Sequence, residues 1–235
     1  MAIVGGSRSK VLVIGATGRF GQELVKASLA AGHPTYALVR EPTFSLADAS
    51  LLLRSFSASG VTLLKVVLAP FRSVCTLRLN VNLVSISLFG NLVFFEKIPV
   101  PVACSCPFLF AAVFVKESDV ATFTICAIDD TRTLNKVLYL RPSGNVYSQN
   151  ELTEIWEVKI GKKLEKIHVT EEKLLKSIHE TPFPSNMDLF FIYSAFVKGD
   201  HTYFSIDSSG LDGSKLYPHV RCTTVSECLD KILAI

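Results

Sequence analysis

The stretch from Val11 to Gly21 constrains the fold of this 235-residue chain more than any other part of its sequence. Four apolar residues that favour β-structure end at Gly15, and two further glycines follow at Gly18 and Gly21. The sequence after them, QELVKASLAAG, has the apolar spacing of a helix. A strand, a glycine-rich turn and a helix in this order predict the phosphate-binding corner of a dinucleotide-binding fold.

Each glycine of this motif has a physical reason to be there. Gly15 lets the chain reverse tightly, and a residue without a side chain lets the backbone approach a pyrophosphate. The third glycine lets the helix pack close to the strand, and the helix N-terminus offers N–H groups and the positive end of its dipole to an anion. Chance placement of three turn glycines does not account for the order of strand, turn and helix.

Arg40 is the next informative position, because it ends the predicted second strand, Thr35–Val39. In this fold the residue at that place faces the adenosine ribose, where a carboxylate favours NAD and an arginine pairs with the 2′-phosphate of NADP. Arg19, inside the glycine loop, could also reach a phosphate. The sequence therefore favours NADP, with a solvated surface role for Arg40 as the alternative.

The sequence predicts regular elements on both sides of an apolar central segment. A second helix and a third strand, Val61–Leu64, predict three parallel strands of a doubly wound sheet. Beyond the central segment the predictions are a helix capped by Ser118, a strand at Val137–Leu140, a strand at Leu164–Val169, a helix starting at Thr170, an apolar helix at Met187–Phe196, and capping boxes at Ser148/Glu151 and Thr224/Glu227.

The central segment contains two uncharged runs, Leu79–Phe95 and Ile98–Val115, near the lower length limit for a membrane span. The first run contains asparagines and serines, and the second contains three prolines. These residues disfavour a membrane-spanning segment and favour buried strand-like structure or a segment that folds poorly.

Composition narrows the function classes. The formal charge of +3 with no basic cluster argues against a nucleic-acid partner. The six cysteines form no C-x-x-C pair, and the five histidines have no metal-ligand spacing, so we expect neither a disulfide framework nor a metal site. The first ten residues are too short and polar for a secretory signal, which makes the cytoplasm the expected location.

Several stretches resemble the plant isoflavone reductase-like enzymes. This group includes phenylcoumaran benzylic ether, pinoresinol-lariciresinol and isoflavone reductases and eugenol synthases, within the NmrA-like atypical short-chain dehydrogenases. The phenylcoumaran benzylic ether reductases are the branch it resembles most. The similarity covers residues 10–65 and 113–233, and its clearest segments are VLVIGATGRFGQELVKASLAAGHPTYALVRE, VFVKESDVATFTICAIDDTRTLNKVLYLRP and ELTEIWEVKIGKKLEKIHV.

The resemblance implies an α/β fold with a doubly wound, Rossmann-like parallel sheet, incomplete in this chain, and a small C-terminal α/β substrate domain. It implies hydride transfer from NADPH to a phenylpropanoid-type small molecule, and it leaves open whether the chain forms a homodimer. The cofactor-binding residues that it implies are Gly15, Ala16, Thr17, Gly18, Arg19, Phe20, Gly21 and Arg40.

The central segment departs from the family. The family's catalytic lysine should lie there, but the surroundings of Lys97 do not match it, so the catalytic residue is unknown. We divide the chain into half of an NADP-binding domain (1–68), an apolar segment without family counterpart (69–112) and a C-terminal part (113–235). Such a chain is expected to bind NADPH weakly and turn over little. The alternatives are a non-catalytic NADP-binding regulatory protein, or an unstable product of altered splicing or a disrupted reading frame.

Overall fold

The computed structural model describes residues 8–40, 47–66, 103–104, 110–167, 169–200, 202, 206 and 210–234. Its chain forms two compact units. The first unit combines Met1–Ile86 with Glu117–Asn135, and the second combines Ser87–Lys116 with Lys136–Ile235. Each unit has a hydrophobic core of its own among the described residues.

The first unit is built on a parallel sheet in which β2 lies between β1 and β3. Val13 of β1 lies opposite Ala37 of β2, which lies opposite Leu63 of β3. The predicted three parallel strands are therefore confirmed. The elements of this unit are β1 (Val11–Ile14), α1 (Arg19–Ala30), β2 (Thr35–Arg40), α2 (Ala47–Ala58), β3 (Thr62–Val66) and α3 (Glu117–Ile128).

Alternating side chains of the strands make the core of this unit. Val11 and Val13 of β1 and Ala37 and Val39 of β2 are buried, as the two-residue period of a strand requires. Helix α3 packs against α1, and its Ile125 joins the same core. The glycine motif thus lies at the end of a strand that is fixed by core packing.

The prediction that Ser118 is the N-cap residue of α3 is wrong. Helix α3 begins at Glu117, so Ser118 lies inside its first turn, where its Oγ donates to Asp119 Oδ1 at 3.1 Å. Acidic residues in a first turn interact favourably with the helix dipole, and Glu117 and Asp119 both lie there. The apolar spacing that guided the prediction does not detect an acidic first residue.

The second unit contains short strands and several helices. Strand β4 pairs with β8 in parallel, β5 with β7 antiparallel, and β6 with β9 in parallel. Its elements are β4 (Ala103–Cys104), β5 (Ala112–Val113), β6 (Val137–Tyr139), β7 (Val146–Tyr147), α4 (Gln149–Ile160), β8 (Lys166–Ile167), α5 (Glu171–Glu180), α6 (Met187–Ile192), β9 (Gly210–Asp212), α7 (Gly213–Leu216) and α8 (Val225–Leu233). The core includes Phe114, Phe196 and Leu229.

Both predicted capping boxes are confirmed. Ser148 accepts from the Glu151 N–H while the Glu151 carboxylate accepts from the Ser148 N–H at 2.7 Å. Thr224 and Glu227 make the same reciprocal pair at the start of α8. Thr170 caps α5 by accepting from Lys173 N–H, as predicted. These caps satisfy N–H groups that lack partners inside their helices.

Two other predictions differ from the structure in extent. The apolar helix predicted over Met187–Phe196 is α-helical only to Ile192 and continues as a π-helix over Tyr193–Lys198. Apolar spacing does not separate the two hydrogen-bond patterns. Of the strand predicted at Leu164–Val169, Lys166–Ile167 pairs with β4.

Most of the apolar central segment lies outside the described residues. The run Leu79–Phe95 falls entirely there, and of Ile98–Val115 only 103–104 and 110–115 are described. In the part of the chain that the structure describes, every helix is too short or too polar to cross a membrane.

Candidate dinucleotide-binding site

The glycine loop turns sharply at the end of β1. Gly15 has a φ of +81°, a conformation that strains a residue with a side chain. The turn is closed by the Gly18 N–H, which donates to the Gly15 carbonyl at 2.9 Å. A glycine at position 15 is therefore required by the backbone itself.

Gly21 is required by close packing instead of by its own conformation. A Cβ added at this position would lie 2.8 Å from the Cα of the buried Ala16 and far inside contact distance of the Gly15 carbonyl oxygen. Because both neighbours are backbone atoms, they cannot give way as a flexible side chain could. The missing side chain lets α1 rest directly on the turn, as the sequence predicted for the third glycine.

The N-terminus of α1 is arranged to favour an anion. Gly18 is the N-cap residue in an extended conformation, and as a glycine it places no side chain on the first-turn N–H groups. The first turn contains no acidic residue, so its positive dipole end is not offset from within the helix. Thr17 and Phe20 flank this point and are half-buried.

Arg40 lies at the same edge of the sheet as the loop. Ile14, the last residue of β1, pairs with Leu38, so β2 runs two residues further and ends at the exposed Arg40. Because the strands are parallel, their carboxyl ends meet at one edge, which is where ligands bind in folds of this kind. The structure therefore brings together the two sequence signals for a dinucleotide, although their contact with a cofactor stays a prediction.

Arg19 is held by a residue that sequence reasoning missed. Its Nε donates to Glu117 Oε2 at 2.8 Å, and the two residues are 98 positions apart. The Arg19 side chain is 50% exposed, whereas that of Glu117 is 14% exposed. Acidic residues in a first turn are a sequence signal for a helix start, but no sequence motif connects Glu117 to the glycine loop.

Other sequence candidates are not added to this site. Lys97 lies outside the described residues. Within the described ranges, no group of three or more histidine, cysteine or acidic side chains is placed to hold a metal ion. In α3, burial raises the pKa of the Cys126 thiol, which disfavours the reactive thiolate.

Comparison with known proteins gives the family. The model of the NmrA-like family matches residues 7–88 and 90–229. The chain belongs to the NmrA-like family. The resemblance to isoflavone reductase-like enzymes stated above is thereby confirmed.

Two plant relatives of this NmrA-like protein are similar over nearly their whole length. It is 40% identical to the probable pinoresinol-lariciresinol reductase 3 of Arabidopsis thaliana, over 96% of this chain and 98% of that protein. It is 37% identical to phenylcoumaran benzylic ether reductase IRL1 of Ginkgo biloba, over 96% and 99%.

A solved structure supports the fold class. The binary complex of leucoanthocyanidin reductase and NADPH from Vitis vinifera matches with a TM-score of 0.75 at 22% identity, over 97% of this chain and 100% of that chain. The predicted α/β fold with a parallel sheet is confirmed.

The same comparisons bear on the length of the chain and on residues 69–112. The alignment with the Arabidopsis protein spans 305 positions against 235 residues, so it contains gaps where the relative has residues and this chain has none. The family match also takes in most of residues 69–112. That the catalytic lysine is missing from this segment stays a prediction.

Proposed function

We propose that this NmrA-like protein is an NADPH-dependent reductase of phenylpropanoid-type small molecules. The named plant relatives are a pinoresinol-lariciresinol reductase and a phenylcoumaran benzylic ether reductase, and one structural neighbour was solved with NADPH. The observation that carries the proposal is the placement of the glycine loop and Arg40 at one edge of the parallel sheet.

The residues present fit a dinucleotide phosphate. No neighbouring atom lies within 4 Å of a Cβ built at Gly15, so the turn is open there, whereas a side chain at Gly21 would collide with the turn. In our proposal, Gly15, Ala16, Thr17 and Gly18 hold the pyrophosphate, Arg19, Phe20 and Gly21 continue this surface into α1, and Arg40 pairs with the 2′-phosphate. NADPH, when bound, supplies the hydride.

Titration of the purified protein with NADPH and with NADH tests the cofactor assignment. We expect NADPH to bind about tenfold or more tightly, because a charge-assisted pair with Arg40 exists only for the phosphorylated ribose. Equal affinity for the two dinucleotides, or no binding of either, would contradict it.

A second candidate function is a non-catalytic protein that binds NADP and regulates a partner. The shorter length of this chain is compatible with it, because a reductase also needs the residues that position the nicotinamide against substrate and acid or base. Oxidation of NADPH in the presence of phenylpropanoid substrates separates the two. Turnover similar to that of the relatives supports the reductase and contradicts the little turnover expected from the sequence, whereas NADP binding without turnover supports the regulator.

A third outcome, an unstable product of altered splicing or frame disruption, is tested by the melt of the purified chain. A cooperative thermal transition argues against it, because a sheet that had lost its central strands would leave strand edges and apolar faces exposed. We also propose that the chain divides into residues 1–68, 69–112 and 113–235, that it is located in the cytoplasm, and that its partner is a small-molecule substrate.

Gel filtration with light scattering decides between a monomer and a homodimer.

A further inference from the structure

We propose that Glu117 is a positioning residue that holds the Arg19 guanidinium for a phosphate of the bound dinucleotide. The inference rests on the proposed NADP-dependent function and deepens it. Arg19 is the first residue of α1 and belongs to the glycine loop, and Glu117 is the first residue of α3. The ion pair therefore joins the two helix N-termini at the proposed phosphate site.

The burial of the two side chains shows which one is fixed. Glu117 is 14% exposed and stands at the start of a helix that packs against α1, so its carboxylate is anchored by the fold. Arg19 is 50% exposed and reaches toward solvent from the loop. A carboxylate so far withdrawn from water needs a partner, and Arg19 Nε supplies it at 2.8 Å.

The contact at Nε orients the whole cationic group. The guanidinium is planar, so a hydrogen bond at Nε fixes its plane and the direction of the fork made by its two terminal nitrogens. An arginine that binds an anion from a freely rotating state loses rotamer freedom at that moment. Glu117 already restricts the rotamers of Arg19 in the protein without cofactor. Less rotamer freedom is therefore lost on binding, and binding is tighter as a result.

The negative charge of Glu117 acts in the opposite direction, because it repels a phosphate. The Glu117 charge is screened little at 14% exposure, but the half-exposed Arg19, which would contact the phosphate, is screened by water. We expect the direct orienting hydrogen bond to outweigh the repulsion that remains. The amide of a glutamine separates the two effects, since its oxygen accepts from Nε but carries no charge.

The test measures dissociation constants for NADPH and NADH on the full chain and on five variants. These are Glu117→Ala, Glu117→Gln, Arg19→Ala, the double variant Arg19→Ala/Glu117→Ala, and Asp129→Asn as the control. Asp129 follows the opposite end of α3, about 18 Å along the helix from Glu117, and its change removes the same charge. A thermal melt of each variant reports whether it folds.

We expect Glu117→Ala to weaken NADPH binding about fivefold, the size of one orienting hydrogen bond. Glu117→Gln should stay within about twofold of the wild type or bind more tightly, and Asp129→Asn should be unchanged. In the Arg19→Ala background the Glu117→Ala change should have no further effect, as a double-mutant cycle requires of a pair that acts together. If Arg19→Ala loses affinity for both dinucleotides, Arg19 contacts the pyrophosphate. If it loses affinity for NADPH alone, Arg19 contacts the 2′-phosphate.

Two results would overturn the inference while leaving the proposed function intact. One is Glu117→Ala binding as tightly as the wild type or more tightly. The other is an equal loss with and without Arg19, which would mean that Glu117 acts through helix packing. If the wild type binds neither dinucleotide, the proposed function fails and this inference fails with it.

Discussion

At the scale of single residues, the glycine loop shows two different reasons for one residue type. Gly15 is needed for its positive φ, and Gly21 is needed because backbone atoms occupy the place of a side chain. The sequence motif marks both positions in the same way. The structure separates a conformational requirement from a packing requirement, and the two have different mutational consequences.

Replacing Gly21 by alanine should lower the free energy of unfolding by about 1–3 kcal/mol, because the new methyl group collides with the Gly15 carbonyl and Ala16. Urea denaturation measures the change. Gly144→Ala is the matched control, since no atom lies within 4 Å of its added Cβ and its φ is not positive. Equal stabilities of the two variants would contradict the packing argument.

Replacing Arg40 by alanine should weaken NADPH binding about tenfold or more and leave NADH binding within about twofold, because only NADPH carries the 2′-phosphate. Fluorescence titration with each dinucleotide measures both constants. Arg54→Ala is the control, since Arg54 is also exposed and lies in the last turns of α2. An equal loss of affinity for both dinucleotides would contradict the pairing of Arg40 with the 2′-phosphate.

At the scale of elements, local capping signals predicted helix starts well. Ser148, Thr170 and Thr224 all cap the helices assigned to them. The prediction failed at Ser118, where acidic residues supply the first turn, and in the apolar helix that changes to π-helical bonding after Ile192. Capping depends on residues three positions apart, whereas apolar spacing is the same for α-helical and π-helical bonding and does not distinguish them.

Ser148→Ala should lower the free energy of unfolding by about 1 kcal/mol, because the Glu151 N–H at the start of α4 loses its acceptor. Chemical denaturation monitored by circular dichroism measures it. Ser143→Ala, at an exposed serine, is the control. If Ser143→Ala lowers the free energy of unfolding by as much, the capping hydrogen bond of Ser148 does not account for the loss.

The same box predicts a dependence on pH. The Ser148 backbone N–H, and then its hydroxyl, hold the pKa of Glu151 below its ordinary value. A carboxylate with a lowered pKa stabilises the folded state above its unfolded pKa of about 4.3, and this contribution is lost as pH falls through the folded pKa.

The stability difference between the wild type and Glu151→Gln should therefore shrink as pH falls from about 5 to about 3, because the glutamine does not titrate. Denaturation at several pH values measures it, with Glu154→Gln on the same helix as the control for net charge. A difference that stays constant over this range would contradict the assignment.

At the scale of the whole molecule, the residues that the structure describes form two hydrophobic cores. The first contains β1, β2 and the glycine loop, and it also contains α3, which comes from the far side of the central segment in sequence. The proposed cofactor residues and Glu117 all belong to this first unit. We therefore expect cofactor binding to stabilise the residues of this unit more than those of the second unit.

We expect NADPH at about a hundred times its dissociation constant to stabilise the folded protein by about 2.7 kcal/mol, since it binds the folded form. Hydrogen exchange followed by mass spectrometry should show the largest added protection in peptides covering Gly15–Gly21 and Arg40. Peptides of α5 and α8 in the second unit are the internal reference. Protection confined to the second unit would contradict the proposed site.

The sequence by itself determined the strand, turn and helix of the first corner and two capping boxes, because these depend on residues close together in the chain. It also determined the parallel orientation of three strands, because crossover connections through helices are right-handed. The tertiary structure alone decided that Glu117 reaches Arg19 across 98 positions and that α3 completes the first core. Such contacts depend on which helices pack together, and the apolar period of a helix shows that it has a buried face but not which element covers that face. The loop from Val11 to Gly21 was identifiable from its glycines, but the residue that holds its arginine was found only in the fold.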